Sequence, residues 1–170
     1  DSMQRFRRVA ELLDSTGKVN DVNAAAILRD MKGLGGETLG YCNELAINQL
    51  LAMHSVIFRP AERKIWVSTS PWQCGRFVCY DLDDVFGSDA PGFELSSEVI
   101  PEDPLVHSRD FANVLEFKRL LPVMQKAARS CRHVPEDSLR HFVSLDSLYF
   151  NAYNVAGDCY LSSGRPAQAA

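Results

Sequence analysis

The chain has 170 residues, which is enough to bury one substantial core, or one domain and part of another. Apolar residues make up 46% and charged residues 24%, as in ordinary soluble globular proteins, and a net charge of -4 gives no reason to expect a nucleic-acid partner. No apolar run reaches the length of a membrane span. We therefore expect a soluble protein, cytoplasmic or periplasmic, that binds no nucleic acid and has no membrane span.

The first predicted helix covers residues 2–13 and carries three arginines in its first two turns. Its apolar residues recur at helical spacing and are Phe6, Val9, Ala10 and Leu13. The start of a helix is its positive end, so an arginine there is unfavourable by roughly 0.3–1 kcal/mol unless an anion answers it. Arg7 and Arg8 can pair with Glu11, whereas Arg5 has no acidic residue four positions on. Arg5 is therefore either a solvated surface residue or a functional one.

A second helix is predicted over residues 20–33, beginning at Asn20 or Asp21 and ending at Gly33. The glycines that follow it lie after a helix, and they form neither GxGxxG nor GK[ST]. A phosphate loop needs a strand before it and a helix after it, so nucleotide binding is not expected.

Three strands follow the two helices. They are predicted over residues 52–58, 64–69 and 76–82. The short turn that begins at Pro60 joins the first two as an antiparallel hairpin. Apolar side chains occupy both faces of this hairpin, so both faces should be covered by other layers. His54, in the first strand, is expected to be a core histidine.

The stretch from Asp81 to Asp103 holds eight acidic residues and no Lys or Arg, with several prolines and glycines. This composition is typical of a solvated connector, and an acidic ligand-binding loop is the alternative. We therefore expect a first domain over residues 1–86, a connector over 87–106 and a helical region over 107–170.

The helical region begins with Ser108, a favourable cap, and its first helix contains Pro122, which should kink or split it. A short second helix has Pro135 in its first turn. The core stripe of the first helix is predicted to be Phe111, Val114, Leu115 and Leu121.

The last predicted helix carries a spacing found in the first helix of a tetratricopeptide repeat, through Tyr153, Ala156, Gly157 and Tyr160. An ordinary amphipathic helix is the alternative. A complete repeat has 34 residues and a second helix, so this helix would belong to a truncated repeat. Residues beyond Gly164 should then fray, and the chain is expected to be cut at both ends.

Cysteine and histidine do not form a metal signature. The five cysteines contain no CxxC pair, and the four histidines lie apart from them, so neither a zinc site nor a cofactor is expected. Cys74 and Cys159 have no histidine near them in sequence and do not lie at a terminus, so both are expected to be structural rather than nucleophilic.

The opening stretch "DSMQRFRRVAELL" resembles the S-x-x-R helix of the N-terminal-nucleophile acyltransferases and amidohydrolases, which include isopenicillin N acyltransferase and the choloylglycine hydrolases. The segments that follow keep the order of that family: "AAILRD" in a second helix, a "YC" segment, and then "HSVIFRPAERKIWVSTSPWQCGRFVCYDL". This last run is similar to the paired strands that end the family's catalytic domain. The resemblance covers residues 1–86.

The resemblance implies the C-terminal portion of a four-layer αββα sandwich, hence an α+β fold followed by a helical segment. It also implies a cysteine nucleophile that self-cleavage leaves as a first residue, with its own α-amine as base. Arg5 and Ser2 match positions that carry function in the family, the arginine as a charge that stabilises thiolate and oxyanion and Ser2 as a substrate contact. For Ser2, a helix cap is the alternative role. Asp1 cannot act as the nucleophile, which would lie upstream.

Two functions follow as hypotheses. In the first, the chain is a fragment of an autoproteolytic cysteine acyltransferase or amidohydrolase, inactive alone. Its partners would be the upstream segment of the same protein and a small acyl-amide or acyl-CoA-like substrate. In the second, a degenerate scaffold carries a non-enzymatic helical module that binds a protein partner through tetratricopeptide-like helices.

Overall fold

The computed structural model describes residues 1–87 and 96–169. Within them, the chain is a mixed α/β protein with six α-helices and a four-stranded antiparallel sheet. It divides into two compact units: unit 1 consists of Asp1–Thr38 and Glu44–Val106, and unit 2 consists of Leu39–Asn43 and His107–Ala170. The division between the long segments thus falls after Val106.

Unit 1 begins with helices α1 (Ser2–Thr16) and α2 (Asp21–Leu28). The N-cap of α1 is Asp1, without a side-chain hydrogen bond, so the predicted capping role of Ser2 is wrong. Asn20 caps α2 as expected: its side chain accepts from the Asn23 backbone N–H at 2.9 Å, and the Asn23 side chain accepts from the Asn20 N–H in return. The helix ends at Leu28, five residues before the predicted stop at Gly33.

The sheet of unit 1 has the order β1-β2-β3-β4, with every pair antiparallel. Its strands are β1 (Val56–Arg59), β2 (Lys64–Ser68), β3 (Phe77–Asp81) and β4 (Ser96–Ile100), and the short helix α3 (Leu82–Phe86) follows β3. The three predicted strands are confirmed. The fourth lies inside residues 87–106, which the acidic composition had indicated as a connector. Its residue Ile100 is buried, and Glu98 O accepts a hydrogen bond from Trp66 Nε1 at 2.8 Å. Residues 88–95 of that segment lie outside the described chain.

The two faces of the sheet are covered unequally. Helix α2 contacts β1 and β4. The buried core of this region consists of Ala25, Trp66, Phe77, Cys79 and Ile100. The opposite face carries Val56, Phe58, Ile65, Val67, Val78 and Tyr80. Phe58 on that face is 65% exposed and Val78 is buried, while the other four are half-buried. We expected both faces of the sheet to be covered. In the structure, the eight residues of α2 cover one face, and the other face is only partly buried.

Two other predicted core positions of unit 1 are exposed. Helix α1 lies against α2 and against the turn at Leu34–Gly36, and its Phe6 is 69% exposed. His54 precedes β1 and is exposed rather than buried, because the strand begins two residues later, at Val56.

Unit 2 is built from α4 (Arg109–Arg129), α5 (Glu136–Ser144) and α6 (Phe150–Ser162). Ser108 caps α4 as predicted, its Oγ accepting from the Phe111 N–H at 3.0 Å. The helix continues through Pro122 instead of splitting there, and it packs along α6 and α5. At the centre of the unit, the rings of Phe117 and Phe142 stack with centroids 4.9 Å apart. Of the predicted stripe, Leu115 is exposed and Phe117 takes its place in the core.

The end of unit 2 is held by hydrogen bonds. Arg165 donates from its backbone N to Tyr160 O at 2.9 Å and from Nη2 to Val134 O at 2.9 Å, and Pro166–Gln168 form a turn of 3-10 helix. These contacts differ from the fraying expected beyond Gly164. On α6, Ala156 is buried and Tyr160 half-buried, but Tyr153 is 54% exposed.

Candidate functional site

Arg5 and Ser2, the two residues indicated by the resemblance, lie together on the first turn of α1. Arg5 Nη2 donates to Ser2 Oγ at 3.3 Å, and Arg5 Nη1 donates to the backbone oxygen of Glu44. A guanidinium has five N–H donors in a fixed planar arrangement. The contacts to the described residues therefore leave donors of the half-buried Arg5 available to an anionic group.

Glu44 adds a second polar side chain to this neighbourhood. Its Oε2 is buried and has no hydrogen-bond partner among the described residues. Buried carboxylate oxygens are almost always hydrogen-bonded, so this atom is a natural acceptor for an incoming donor. The sequence did not indicate Glu44, because it lies in the irregular segment "YCNEL", where neither periodicity nor motif marks it.

A buried ion pair holds α1 in place close to this turn. Arg8 Nε and Nη2 donate to the two oxygens of Asp30 at 2.9 and 3.0 Å, and Nη1 donates to Glu11 at 3.2 Å. The hydrogen bond to Asp30 is the main reason why the pKa of Arg8 is raised. The Arg8–Glu11 pair was predicted from helical spacing. The stronger, bidentate partner of Arg8 is Asp30, which lies 22 residues away and could not be predicted from helical spacing.

The backbone of Asp30 connects this ion pair to the interior of unit 1. Asp30 O accepts from the Asn48 N–H at 2.9 Å, and the fully buried Asn48 side chain donates from Nδ2 to Cys74 Sγ at 3.4 Å. Asn48 Oδ1 also accepts from the Leu50 N–H at 3.0 Å. A satisfied polar network of this kind fixes the positions of its members. It gives the irregular segment after α2, which contains Glu44, a defined backbone.

Arg29 performs a structural task. Its Nη2 donates to Gly75 O and to Pro101 O, both at 2.8 Å, and Nε donates to Gln73 O at 3.2 Å. The guanidinium also lies 5.1 Å from the centroid of the Phe77 ring. Burial lowers the pKa of Arg29. With its donors directed at carbonyl groups, Arg29 joins α2 to the β2–β3 loop and to the end of β4.

The cysteines are not arranged as activated nucleophiles. Burial raises the pKa of Cys42 to about 11, and it also raises the pKa of Cys74 and of Cys159. The five cysteines, all among the described residues, form no disulfide, and Cys131 is exposed. In the part of the chain that the structure describes, no group of three His, Cys, Asp or Glu side chains could hold a metal ion.

Unit 2 contains a groove of 420 Å³ between α5 and α6. Four of its lining residues are those with repeat-like spacing, Tyr153, Ala156, Gly157 and Tyr160. From α5 the groove is lined by apolar side chains that include Leu139 and Val143. The residues marked by their spacing therefore share one concave surface.

Comparison with known proteins finds no matching family model, no similar curated protein and no similar solved structure. Within residues 1–87 and 96–169, each helix is too short or too polar to cross a bilayer. The function is therefore argued from the residues themselves.

Proposed function

We propose that the chain is the C-terminal part of an autoproteolytic cysteine acyltransferase or amidohydrolase of the N-terminal-nucleophile type. The observation that supports this proposal is the two-sided character of the sheet. One face is covered by α2, while the other presents a continuous apolar set in which Phe58 is 65% exposed. In an αββα sandwich, each sheet has helices outside and a second sheet inside. This partly buried apolar face, with its exposed Phe58, fits the inner position, and the second sheet would come from a preceding segment of the parent protein.

The chemistry of the proposal centres on Arg5. The parent protein would break or transfer an amide or thioester acyl group through an acyl-enzyme, with a terminal cysteine as nucleophile and its α-amine as base. A fixed guanidinium beside that sulfur would stabilise the thiolate and the developing oxyanion. Ser2 accepts a hydrogen bond from Arg5, and Arg5 is also held at the Glu44 backbone. These two contacts would fix the direction of the charge before substrate binds.

The test uses the full-length protein and the substitution Arg5→Ala. We expect acyl transfer to fall by roughly 10²-fold or more, the effect of losing one electrostatic stabiliser of an oxyanion. A panel of acyl amides and thioesters supplies the substrates. Because Arg5 also contacts Glu44 O, a urea unfolding curve accompanies the assay.

Arg7→Ala is the matched control, since Arg7 lies exposed on the same helix. It should leave both turnover and stability nearly unchanged. The role of Arg5 is wrong if Arg5→Ala retains wild-type turnover, or if turnover is lost only in proportion to unfolded protein. The chain of residues 1–170 by itself should show no acyl transfer above the buffer rate, because in this proposal the nucleophile lies upstream.

A second candidate function is a non-enzymatic module that binds a protein partner through the α5–α6 groove. The groove of 420 Å³ favours it, since its small residues Ala156 and Gly157 permit close approach of another helix. A Cβ built on Gly157 meets only Ala169 O, at an ordinary van der Waals distance of 3.7 Å, so the position accepts a side chain without a backbone clash. A partner bound by the wild-type chain should be lost with Gly157→Leu and retained with Asn154→Leu, which places the same new side chain at an exposed position of the same helix. Retention with both variants would contradict this function.

A further inference from the structure

A second groove of unit 2, with a volume of 610 Å³, lies where α4 ends and the chain turns back. Cys131 has a left-handed backbone, with φ of 51°, and ends the helix in a Schellman motif. In this motif Cys131 N donates to Ala128 O at 3.1 Å and Arg132 N donates to Ala127 O at 2.9 Å. The reversal sends Arg132 and the following residues back beside the last turns of α4, so the groove has a fixed backbone on both sides.

The far wall of this groove is also fixed. Arg165 Nη2 donates to Val134 O at 2.9 Å, and the guanidinium of Arg165 lies 4.8 Å from the centroid of the Tyr160 ring. Val134 itself is buried. Contacts within unit 2 therefore hold the backbone of this wall in place.

The charge of the groove is opposite in sign to that of the chain. Lys126, Arg132 and His133 line it, all exposed, and none of its described lining residues is acidic, although the chain has a net charge of -4. Within the described residues, these three side chains form no ion pair. The nearest acidic residues along the chain begin α5, where Glu136 pairs with Arg140.

The Lys126 and Arg132 side chains do not cap the end of α4 by hydrogen bonds. Cations near a helix C-terminus are favourable because they can neutralise its last carbonyl groups. Here, however, other donors already reach these carbonyl groups. Ser130 donates to Lys126 O from Oγ at 2.8 Å and from its backbone N at 3.1 Å. The hydrogen bonds of the Schellman motif occupy the carbonyl groups of Ala127 and Ala128. The Lys126 and Arg132 side chains are therefore directed to solvent rather than used as caps.

Between the charges, the surface of the groove is apolar. Met124 and Val134 are buried and form part of its floor, while Val123 is 54% exposed at its edge. Pro122 and Pro135 are exposed and complete the apolar lining. The volume lies in the range of roughly 300–1,000 Å³ that is typical of binding sites in proteins.

We propose that this groove binds an extended acidic segment of a protein partner, with one apolar side chain on Val123 and carboxylates facing Lys126 and Arg132. Charge complementarity is the reason for this choice of partner, because a lining with cations and no acidic residue attracts an anionic ligand. The separation of the cations by exposed apolar surface favours a peptide that alternates carboxylates with apolar residues. A small inorganic anion would need donors that converge on one point.

The experiment measures fluorescence anisotropy of a labelled peptide, Glu-Leu-Glu-Glu-Leu-Glu, with the chain at low salt. We expect binding that weakens as salt is added, since exposed charges are screened. The isosteric peptide Gln-Leu-Gln-Gln-Leu-Gln should bind at least about fivefold more weakly, the factor that corresponds to the loss of about 1 kcal/mol from exposed charge pairs.

Variants of the chain locate the site. Lys126→Glu and Arg132→Glu should each weaken binding by about fivefold or more, and Val123→Ser should weaken it without changing the salt dependence. Arg119→Glu is the matched control, because Arg119 is an exposed cation on the same helix outside the groove. It should bind the peptide like the wild type. Circular dichroism confirms that each variant keeps its helices.

Three results would overturn the proposal. The first is equal binding of the glutamate and glutamine peptides, which would remove the role of charge. The second is equal weakening by Arg119→Glu and Arg132→Glu, which would show attraction without a site. The third is displacement of the peptide by inorganic phosphate at low millimolar concentration, which would identify a small-anion site instead.

Discussion

Asp146 is a buried carboxylate whose ionisation should make the stability of unit 2 depend on pH. It is 5% exposed, and its Oδ2 accepts a hydrogen bond from the Cys42 N–H at 3.4 Å. Burial raises its pKa from 3.8 to about 6, against the opposing effect of a hydrogen bond from the Tyr41 backbone. The folded chain therefore keeps the proton of Asp146 to a higher pH than the unfolded chain does.

The sign and size of the effect follow from this difference in pKa. Between about pH 4 and pH 6, the folded state binds more protons than the unfolded state, so the free energy of unfolding falls as the pH rises. Above both pKa values, Asp146 is ionised in the folded and the unfolded state, so this loss of stability is complete and does not grow further with pH. A shift of about two units, at 1.36 kcal/mol each, corresponds to about 3 kcal/mol.

The substitution Asp146→Asn should remove this dependence. The variant's carbonyl oxygen can still accept from the backbone of residues 41 and 42, but its amide group needs a partner of its own, at a cost of about 1–3 kcal/mol. The gain in absolute stability at neutral pH is therefore partly offset. The change of the unfolding free energy with pH between about pH 4 and about pH 6 is the cleaner quantity, and its fall with rising pH should be smaller in the variant.

The assay is urea unfolding followed by far-UV circular dichroism at several pH values. Fluorescence would report on the wrong unit, because Trp66 and Trp72 both lie in unit 1, whereas unit 2 is largely helical. Asp158→Asn, at an exposed position of α6, is the control and should keep the wild-type slope. If Asp146→Asn shows the same pH dependence as wild type, Asp146 does not cause it.

Two substitutions test other parts of the fold. Arg8→Ala should destabilise unit 1 by about 1–3 kcal/mol in urea unfolding followed by tryptophan fluorescence, because it leaves the partly buried Asp30 carboxylate without its bidentate partner. Arg7→Ala should change the same curve by no more than about 0.5 kcal/mol. Cys131→Gly should stabilise unit 2 by about 1 kcal/mol in helical circular dichroism, since glycine adopts the left-handed conformation at φ of 51° without strain; a loss of stability would contradict this account.

Local sequence signals predicted local structure well. Asn20 and Ser108 cap their helices because a cap depends only on residues within one turn, and the three strands followed from alternation and turn residues. The strand Ser96–Ile100 was missed for the opposite reason. This short strand lies within an acidic, proline-rich stretch, so its own pattern was not recognised. Its pairing with β3 is a tertiary contact that no local pattern encodes.

Helical periodicity predicted the existence of α1 but not the environment of its residues. The apolar residues of α1 recur at helical spacing, yet Phe6 is exposed, and the buried residue of the helix is Arg8. Arg8 is buried because Asp30 meets it with two hydrogen bonds, which a sequence separation of 22 residues conceals. Likewise, Pro122 was expected to kink or split α4, but the helix is not split there and packs against α6.

The candidate site divides in the same way. Ser2 and Arg5 were named in advance from the resemblance of the opening stretch to a known family, and their separation of three residues places them on one face of the helix. Glu44 could not, since it reaches Arg5 from 39 residues away through a segment without regular structure. The buried network of Asp30 and Asn48 sets the path of that segment. Residues of this kind are visible only after the fold has brought distant parts of the chain together.

The exposed apolar residues of unit 1 connect its fold to the proposed function. Phe58 on the sheet and Met3 and Phe6 on α1 are each more than 60% exposed. Full burial of a large apolar side chain is worth roughly 1.5–3 kcal/mol, so single exposed residues need no explanation, but a continuous apolar sheet face beside a helix-covered one does. A layered α/β fold buries both faces of its sheet. An apolar face that is only partly buried, with Phe58 exposed, is expected of a sheet that belongs between two layers, so it supports the sandwich proposal more directly than Arg5 alone.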